Sequence, residues 1–241
     1  MIFGNPIEFL IGSLFLIPAI LIAIPAHELG HGVAAYFAGD PSPRNRGYLA
    51  YRAKLFINVY GVLLAFLLQV AFGTPVPVNE YRLQGVGRKL VHALGGPVAN
   101  LLLAVVFGIV VRILVARGGF LSFDYHLQPG IVYLTTILYA IFFLNLSTFA
   151  FQLLPVPGLD GWRIVEAIFR NRNPRFFFNV TARTQTIWVI AVVVVVVGPV
   201  LLHFDILGAV VGIFFQPASS AILGTCAGYT TLNPCPVSVP S

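Results

Sequence analysis

From Ile7 to Phe37 the chain runs without a single Lys, Arg or Asp, broken only by Glu8 and by a cluster of His27, Glu28 and His31. As a helix this run is roughly 45 Å long, more than the ~30 Å hydrocarbon core of a bilayer. Composition points the same way. The chain is 58% hydrophobic and 9% charged, with 14 Lys+Arg against 8 Asp+Glu in 241 residues. A soluble domain carries about a quarter charged residues, so a soluble globular fold and a disordered chain are both excluded. The net charge of +6 then reads as basic loops kept on the cytoplasmic side, not as a nucleic-acid surface.

Further apolar runs follow at 55–72, 90–111, 131–154, 187–202 and 206–223. The run from Leu55 to Phe72 is short and holds Asn58, Gly61 and Gln69. If all six runs cross, the basic residues divide almost evenly between the two sides. If 55–72 enters and returns on the same side, twelve of the 14 Lys+Arg gather on one face and only Arg112 and Arg117 remain opposite. The positive-inside rule favours the second threading, and a re-entrant segment is tolerated where protein shields its backbone. The expected fold is an all-α polytopic membrane protein of five to six transmembrane helices, with one re-entrant or short membrane segment at 55–72. The threading puts the N-terminus outside, in a multi-pass protein of the cell membrane. Residues 1–224 are expected to form one transmembrane domain and 225–241 a flexible Pro/Thr-rich tail. Its two cysteines, Cys226 and Cys235, match no metal spacing and read as incidental thiols. The first run lacks Lys or Arg ahead of it and is expected to be retained, not cleaved as a signal peptide.

The chemistry lies inside the first run, at His27-Glu28-Leu29-Gly30-His31. Four residues are just over one helical turn, so both imidazoles share a face and can hold one metal ion. Glu28 points in a neighbouring direction, free to take a proton from a water that the ion activates. Ionisable side chains in an otherwise uncharged span are costly and default to function.

Two imidazoles leave a catalytic zinc site short of one protein ligand. The third must reach the same depth, about 9 Å below the cytoplasmic end of the helix. Asp124, His126, His203 and Asp205 fall on the wrong side of the threading; Asp40 and Glu80 lie in loops; His92 is at the correct end of its run. The strongest candidate is Asp160, in Leu153-Leu154-Pro155-Val156-Pro157-Gly158-Leu159-Asp160-Gly161. Two prolines there break the helix and release backbone groups that only a protein-lined cavity tolerates. The competing reading makes Asp160 an N-cap for a helix over 161–169. For Asn100 a helix-packing hydrogen bond competes with a catalytic role.

The HELGH sequence, Gly96-Pro97 followed by Asn100, and the LPVPGLDG sequence ending at Gly161 together resemble the site-2 proteases, zinc intramembrane metalloproteases. Gly39-Asp40-Pro41 and Pro75-Val76-Pro77-Val78-Asn79 are similar to turns of the small members without a PDZ domain. The resemblance covers about residues 24–170. It implies one Zn2+ per chain held by His27, His31 and Asp160, with Glu28 as the catalytic base. The family's Asn before Leu-Leu-Pro, associated with substrate or oxyanion binding, is replaced here by Gln152; Asn145 or Asn100 are the alternatives for that role. Trp162 and His92 also depart from the family pattern.

The expected activity is hydrolysis of peptide bonds in or near transmembrane segments of membrane-protein substrates. The partners are then the lipid bilayer and a substrate helix that unwinds locally, because an intact helix keeps its carbonyls hydrogen-bonded; nucleic acid is not among them. Residues 46–72 offer a possible edge for strand addition, and the active site opens to the cytoplasmic side. The rival readings are a metal-ion transporter, a catalytically silent homologue acting as a binding partner, and a protease that cuts soluble peptides near the surface.

Overall fold

A computed structural model describes the backbone of residues 6–116, 131–202 and 206–224. Among these residues every regular element is a helix: α1 (Pro6–Phe37), α2 (Ser42–Asn45), α3 (Ala53–Phe56), α4 (Val59–Leu68), α5 (Val86–Ala116), α6 (Ile131–Gln152), α7 (Asp160–Phe169), α8 (Pro174–Ala182), α9 (Thr184–Leu202) and α10 (Ile206–Leu223). Among the described residues, three segments are long and apolar enough to cross a membrane: Leu14–Phe37, Val86–Val115 and Tyr133–Gln152. The tail with Cys226 and Cys235, and also Asp124, His126, His203 and Asp205, lie outside the described residues.

α6 is the hub. Ile141 and Leu144 pack on Ala19, Ile20, Ala23 and Ile24 of α1 and on Phe56. Phe142 and Leu146 pack on Ala104 and Val111 of α5 and on Leu223 of α10. Near its end, Ala150 and Phe151 meet Leu154, Leu159 and Val211. The opposite face of α5 stays open, with Leu102, Val106, Ile109 and Ile113 all exposed. An apolar face of that kind is what lipid, not water, solvates.

α1 carries Pro18 and Pro25 inside the helix. Proline has no N–H, so the carbonyl four residues earlier loses its helical partner. For Pro25 that carbonyl belongs to Leu21, and the Tyr51 hydroxyl donates to it from the following loop. The break is thus satisfied within the protein. Two residues past the end of α1, Gly39 turns the chain with a φ of +102°, which favours a residue without Cβ.

The apolar run 55–72 does not form one helix. It contributes the end of α3, then α4, and then continues without regular structure from Val70 to Val78. Asn58 separates the two helices: its side chain accepts the Gly61 N–H at 2.7 Å and caps α4. The extended part is tied down at both ends. Ala71 N–H donates to Thr148 Oγ1 of α6 at 2.8 Å, and Thr74 N–H donates to the Phe56 carbonyl at 2.7 Å.

Candidate metal centre

The site begins with the close approach of α1 and α5. A Cβ on Gly30 would stand 2.4 Å from the Gly95 carbonyl oxygen, and one on Gly95 would stand 2.6 Å from Ala34 Cβ. Small residues at both positions let the two backbones touch, as they do at helix interfaces in membranes. The same contact brings Gly96 over the imidazoles. A Cβ there would lie 2.4 Å from His31 Nε2 and 2.6 Å from His27 Cε1.

His27 and His31, one turn apart on α1, meet at 3.2 Å between their Nε2 atoms. Asp160 Oδ2 lies 3.2 Å from His27 Nε2 and 3.1 Å from His31 Nε2. All three residues are buried. Donors arranged tetrahedrally at ~2.0–2.1 Å around zinc lie about 3.3 Å from one another, so this triangle matches one face of that tetrahedron. The polarity of the atoms agrees. His31 Nδ1 is 2.8 Å from the His92 carbonyl oxygen; an oxygen there can only accept, so Nδ1 carries a hydrogen, and in the neutral ring Nε2 presents a lone pair. The Gly96 N–H approaches the same Nδ1 at 3.4 Å, a weaker contact than the 2.8 Å one to the His92 carbonyl. A bare nitrogen facing a carboxylate oxygen in a buried site calls for a cation between them. The residues fit a zinc ion.

Asp160 reaches this depth because the chain after α6 turns sharply. Pro155 and Pro157 stop the helix, and Gly158 turns with a φ of +98°. Trp188 of α9 closes over the turn, its Nε1–H donating to the Pro157 carbonyl at 2.8 Å. Asp160 then enters the first turn of α7, with Leu159 in the capping position and no capping bond from a side chain. The carboxylate is turned instead to the imidazoles, with Oδ1 3.3 Å from Arg163 Nη1. Gln152 braces the same turn, its Oε1 accepting the Asp160 N–H at 3.4 Å.

Glu28 is 6% exposed and is held from the extended segment after α4. The Val76 N–H donates to its Oε2 at 3.3 Å. A Cβ on Gly73 would come within 2.5 Å of Glu28 Cγ, so the carboxylate rests on the bare backbone of that glycine. The acid therefore sits beside the three converging donors without being one of them.

The other candidates separate cleanly. Asn100 is fully buried against His27, with Oδ1 2.6 Å from Nδ1, and its Nδ2 donates to Asn145 Oδ1 at 2.8 Å. His92 lies beside His31, the rings tilted at 59° with centroids 5.2 Å apart, but contributes its carbonyl there, with its own Nδ1 3.4 Å from the His31 carbonyl oxygen. Asp40 serves the loops: it accepts the Asn79 N–H at 2.6 Å and both the N–H and hydroxyl of Ser42. Burial would raise its pKa, but these hydrogen bonds, with help from the Arg82 charge, hold it below the ordinary carboxylate value.

Sequence reasoning did not pick out Gly73 or Thr148, and it quoted Val76 only within a turn, with no role at the site. The signal for Val76 is present in Gly73-Thr74-Pro75-Val76-Pro77, where Val76 lies between two residues that have no N–H to give.

Comparison with known proteins gives curated relatives. The chain is 30% identical over 157 residues to the "Putative zinc metalloprotease YwhC" of Bacillus subtilis, covering 63% of this chain and 68% of that protein. Rip2 of Mycobacterium tuberculosis, which carries the same description, is 30% identical over 161 residues, 64% of this chain and 57% of Rip2. Rip2 of Mycolicibacterium smegmatis is 28% identical over 169 residues, 67% of this chain and 60% of the relative. No family model matches the chain, and no solved structure matches it.

Proposed function

The chain belongs to the site-2 protease family of zinc metalloproteases, and from that premise we propose that this membrane protein is an intramembrane endopeptidase. Its substrates are membrane proteins, cut in or near a transmembrane segment. One observation carries the reading: three buried donors converge to 3.1–3.2 Å beside a buried carboxylate that stands apart from them. His27, His31 and Asp160 hold the zinc. When bound, the ion supplies Lewis acidity to the scissile carbonyl and to the attacking water.

The chain's own residues do the rest. Glu28, positioned by Val76, takes the proton of the attacking water and returns it to the leaving amine. Gln152 lies beside the ligand turn, and its amide can offer N–H to a substrate carbonyl. Asn100 and Asn145 are engaged with His27 and with each other, so Gln152 is the better of the three for that role. A substrate helix has no free carbonyl to present, and it enters after unwinding locally.

In the membrane, residues 1–224 act as one domain with five crossings. Helix α4 has ten residues, about 15 Å, which is half of what crossing requires. The segment 55–72 therefore enters and returns, and it delivers Gly73 and Val76 to Glu28. The basic loops lie in the cytoplasm, the N-terminus outside, and the site opens to the cytoplasmic side.

The deciding experiment uses the purified full chain in lipid, loaded with zinc. A transmembrane substrate carrying a helix-breaking Asn-Pro pair is offered beside a soluble peptide of the same sequence. Cleavage of the membrane substrate by the wild type, with none by Glu28→Gln at equal zinc content, supports the assignment. Preferred cutting of the soluble peptide makes the protein a surface protease. Zinc flux without cleavage makes it a transporter.

A further inference from the structure

We propose that Asn145 and Asn100 form an amide relay across three helices that fixes which nitrogen His27 offers to the metal, making both of them positioning residues for the site. The inference rests on the zinc-site reading above and concerns residues outside the ligand set. It begins at a backbone carbonyl. Asn145 of α6 lies with one amide atom 2.8 Å from the carbonyl oxygen of Ile141, which can only accept. That atom must therefore be Nδ2, and the other must be Oδ1. Oδ1 faces the Asn100 side chain of α5 at 2.8 Å. The Asn100 atom opposite an acceptor must in turn be its Nδ2. A second acceptor confirms the orientation, because the same nitrogen lies 3.2 Å from the Ala23 carbonyl of α1.

Only Oδ1 of Asn100 is then left for His27, at 2.6 Å from Nδ1. An amide oxygen cannot donate, so His27 Nδ1 must carry the hydrogen. In the neutral ring Nε2 is left with its lone pair aimed at the point shared with His31 and Asp160. Amide and imidazole orientations are ordinarily chosen by optimising the network; here two backbone carbonyls decide them with no freedom remaining. Flipping Asn100 would set oxygen against oxygen at two contacts, and flipping Asn145 would set oxygen against the Ile141 carbonyl and nitrogen against the Asn100 nitrogen, in a fully buried site. Asn100 and Asn145 are both 0% exposed, so water cannot relieve the clash.

The consequence is mechanical as well as electronic. Ile141 and Asn145 belong to α6, Asn100 to α5, and Ala23 and His27 to α1. The relay holds when the three helices share one register, so the polarity of His27 reports that the bundle is correctly assembled. His31 is oriented independently by the His92 carbonyl. Partners of this kind set ring orientation and ligand basicity, and their loss costs about 10–100-fold in metal affinity.

Two measurements on the full chain in detergent test the proposal. The first is the imidazole ¹⁵N spectrum of the metal-free chain at pH 8, with the His27 signals identified by their loss in His27→Gln. The relay predicts the Nδ1–H form of His27 in the wild type and a mixture of forms in Asn100→Leu. Finding the Nε2–H form in the wild type overturns it, whether or not the protein binds zinc. The second is zinc affinity by competition with a chelator. Asn100→Leu is expected to bind about 10–100-fold more weakly, and Asn145→Leu, which does not touch His27, more weakly than the wild type as well. If Asn100→Leu does not fold, Asn145→Leu decides. Wild-type affinity in the folded variants overturns the relay, whereas a wild type that binds no zinc overturns the zinc-site reading and leaves the ¹⁵N result to judge the relay.

Discussion

Gly96 lies so close to His31 that a Cβ on it would stand 2.4 Å from Nε2, the atom that faces His27 and Asp160. The α carbon of Gly96 is thus one wall of the space where the three donors converge. Gly96→Ala should keep the helical fold, since alanine suits a helix better than glycine, and should push the imidazole off its position. Overpacking of this kind costs ~1–3 kcal/mol, and drawn from metal binding that is about 10–100-fold in Kd. Zinc titration of the purified variant checks it. Undiminished affinity would mean that the ligands do not converge where this geometry has them.

Glu28 is expected to behave differently from the ligands. Glu28→Gln preserves the shape and still accepts from Val76, so metal content should match the wild type. Removal of a general base costs about 10²–10⁴-fold in rate. Turnover of a membrane substrate, alongside zinc per chain, separates this residue from His27, His31 and Asp160, whose loss should empty the site.

Gly73 should be as sensitive as a residue in the site, although it bears no side chain. A Cβ there meets Glu28 Cγ at 2.5 Å and Oε1 at 2.7 Å. Gly73→Ala is expected to displace the carboxylate while leaving the three donors in place. An ångström of misplacement costs on the order of 100-fold in rate, so kcat should fall by about that factor with zinc content unchanged. Loss of zinc along with activity would show that the segment supports the ligands instead.

Asp40 sets a pH dependence outside the membrane spans. Its carboxylate accepts from Asn79 and Ser42 and is held below its ordinary value. A depressed folded pKa contributes stability that is fully present above the unfolded value of ~3.9 and is lost as pH falls toward the folded pKa. Asp40→Asn should therefore lower the Tm at pH 7, in line with about 1–3 kcal/mol for hydrogen bonds to a charged group. The gap between variant and wild type should stay constant from pH 8 to 5 and narrow below about pH 4. A gap that widens on acidification would contradict this sign.

Much of this site is legible in the linear chain, for physical reasons. The spacing of His27 and His31 determines a shared helix face wherever α1 lies, because 3.6 residues per turn is a local property. The helix break at Pro155 and Pro157 is local too, since proline removes its own N–H. Scarcity of charge settled the membrane class, and the long runs at 7–37, 90–111 and 131–154 mark α1, α5 and α6 to within a few residues at most ends. The run 55–72 is less legible, for the opposite reason. Hydropathy registers its apolar character but not the Asn58 cap, nor that Ala71 and Thr74 take their partners from α6 and α3.

Which carboxylate joins the imidazoles, and what turns each ring, was decided by tertiary structure alone. Asp160 lies more than a hundred residues from His31, and no local rule relates their depths; packing of α5 between α1 and α7 does. The grip of Val76 on Glu28, and the path from Ile141 through Asn145 and Asn100 to His27, depend on hydrogen bonds between segments far apart in sequence. Such bonds need distance and angle together, and residue order along the chain specifies neither until the helices have docked.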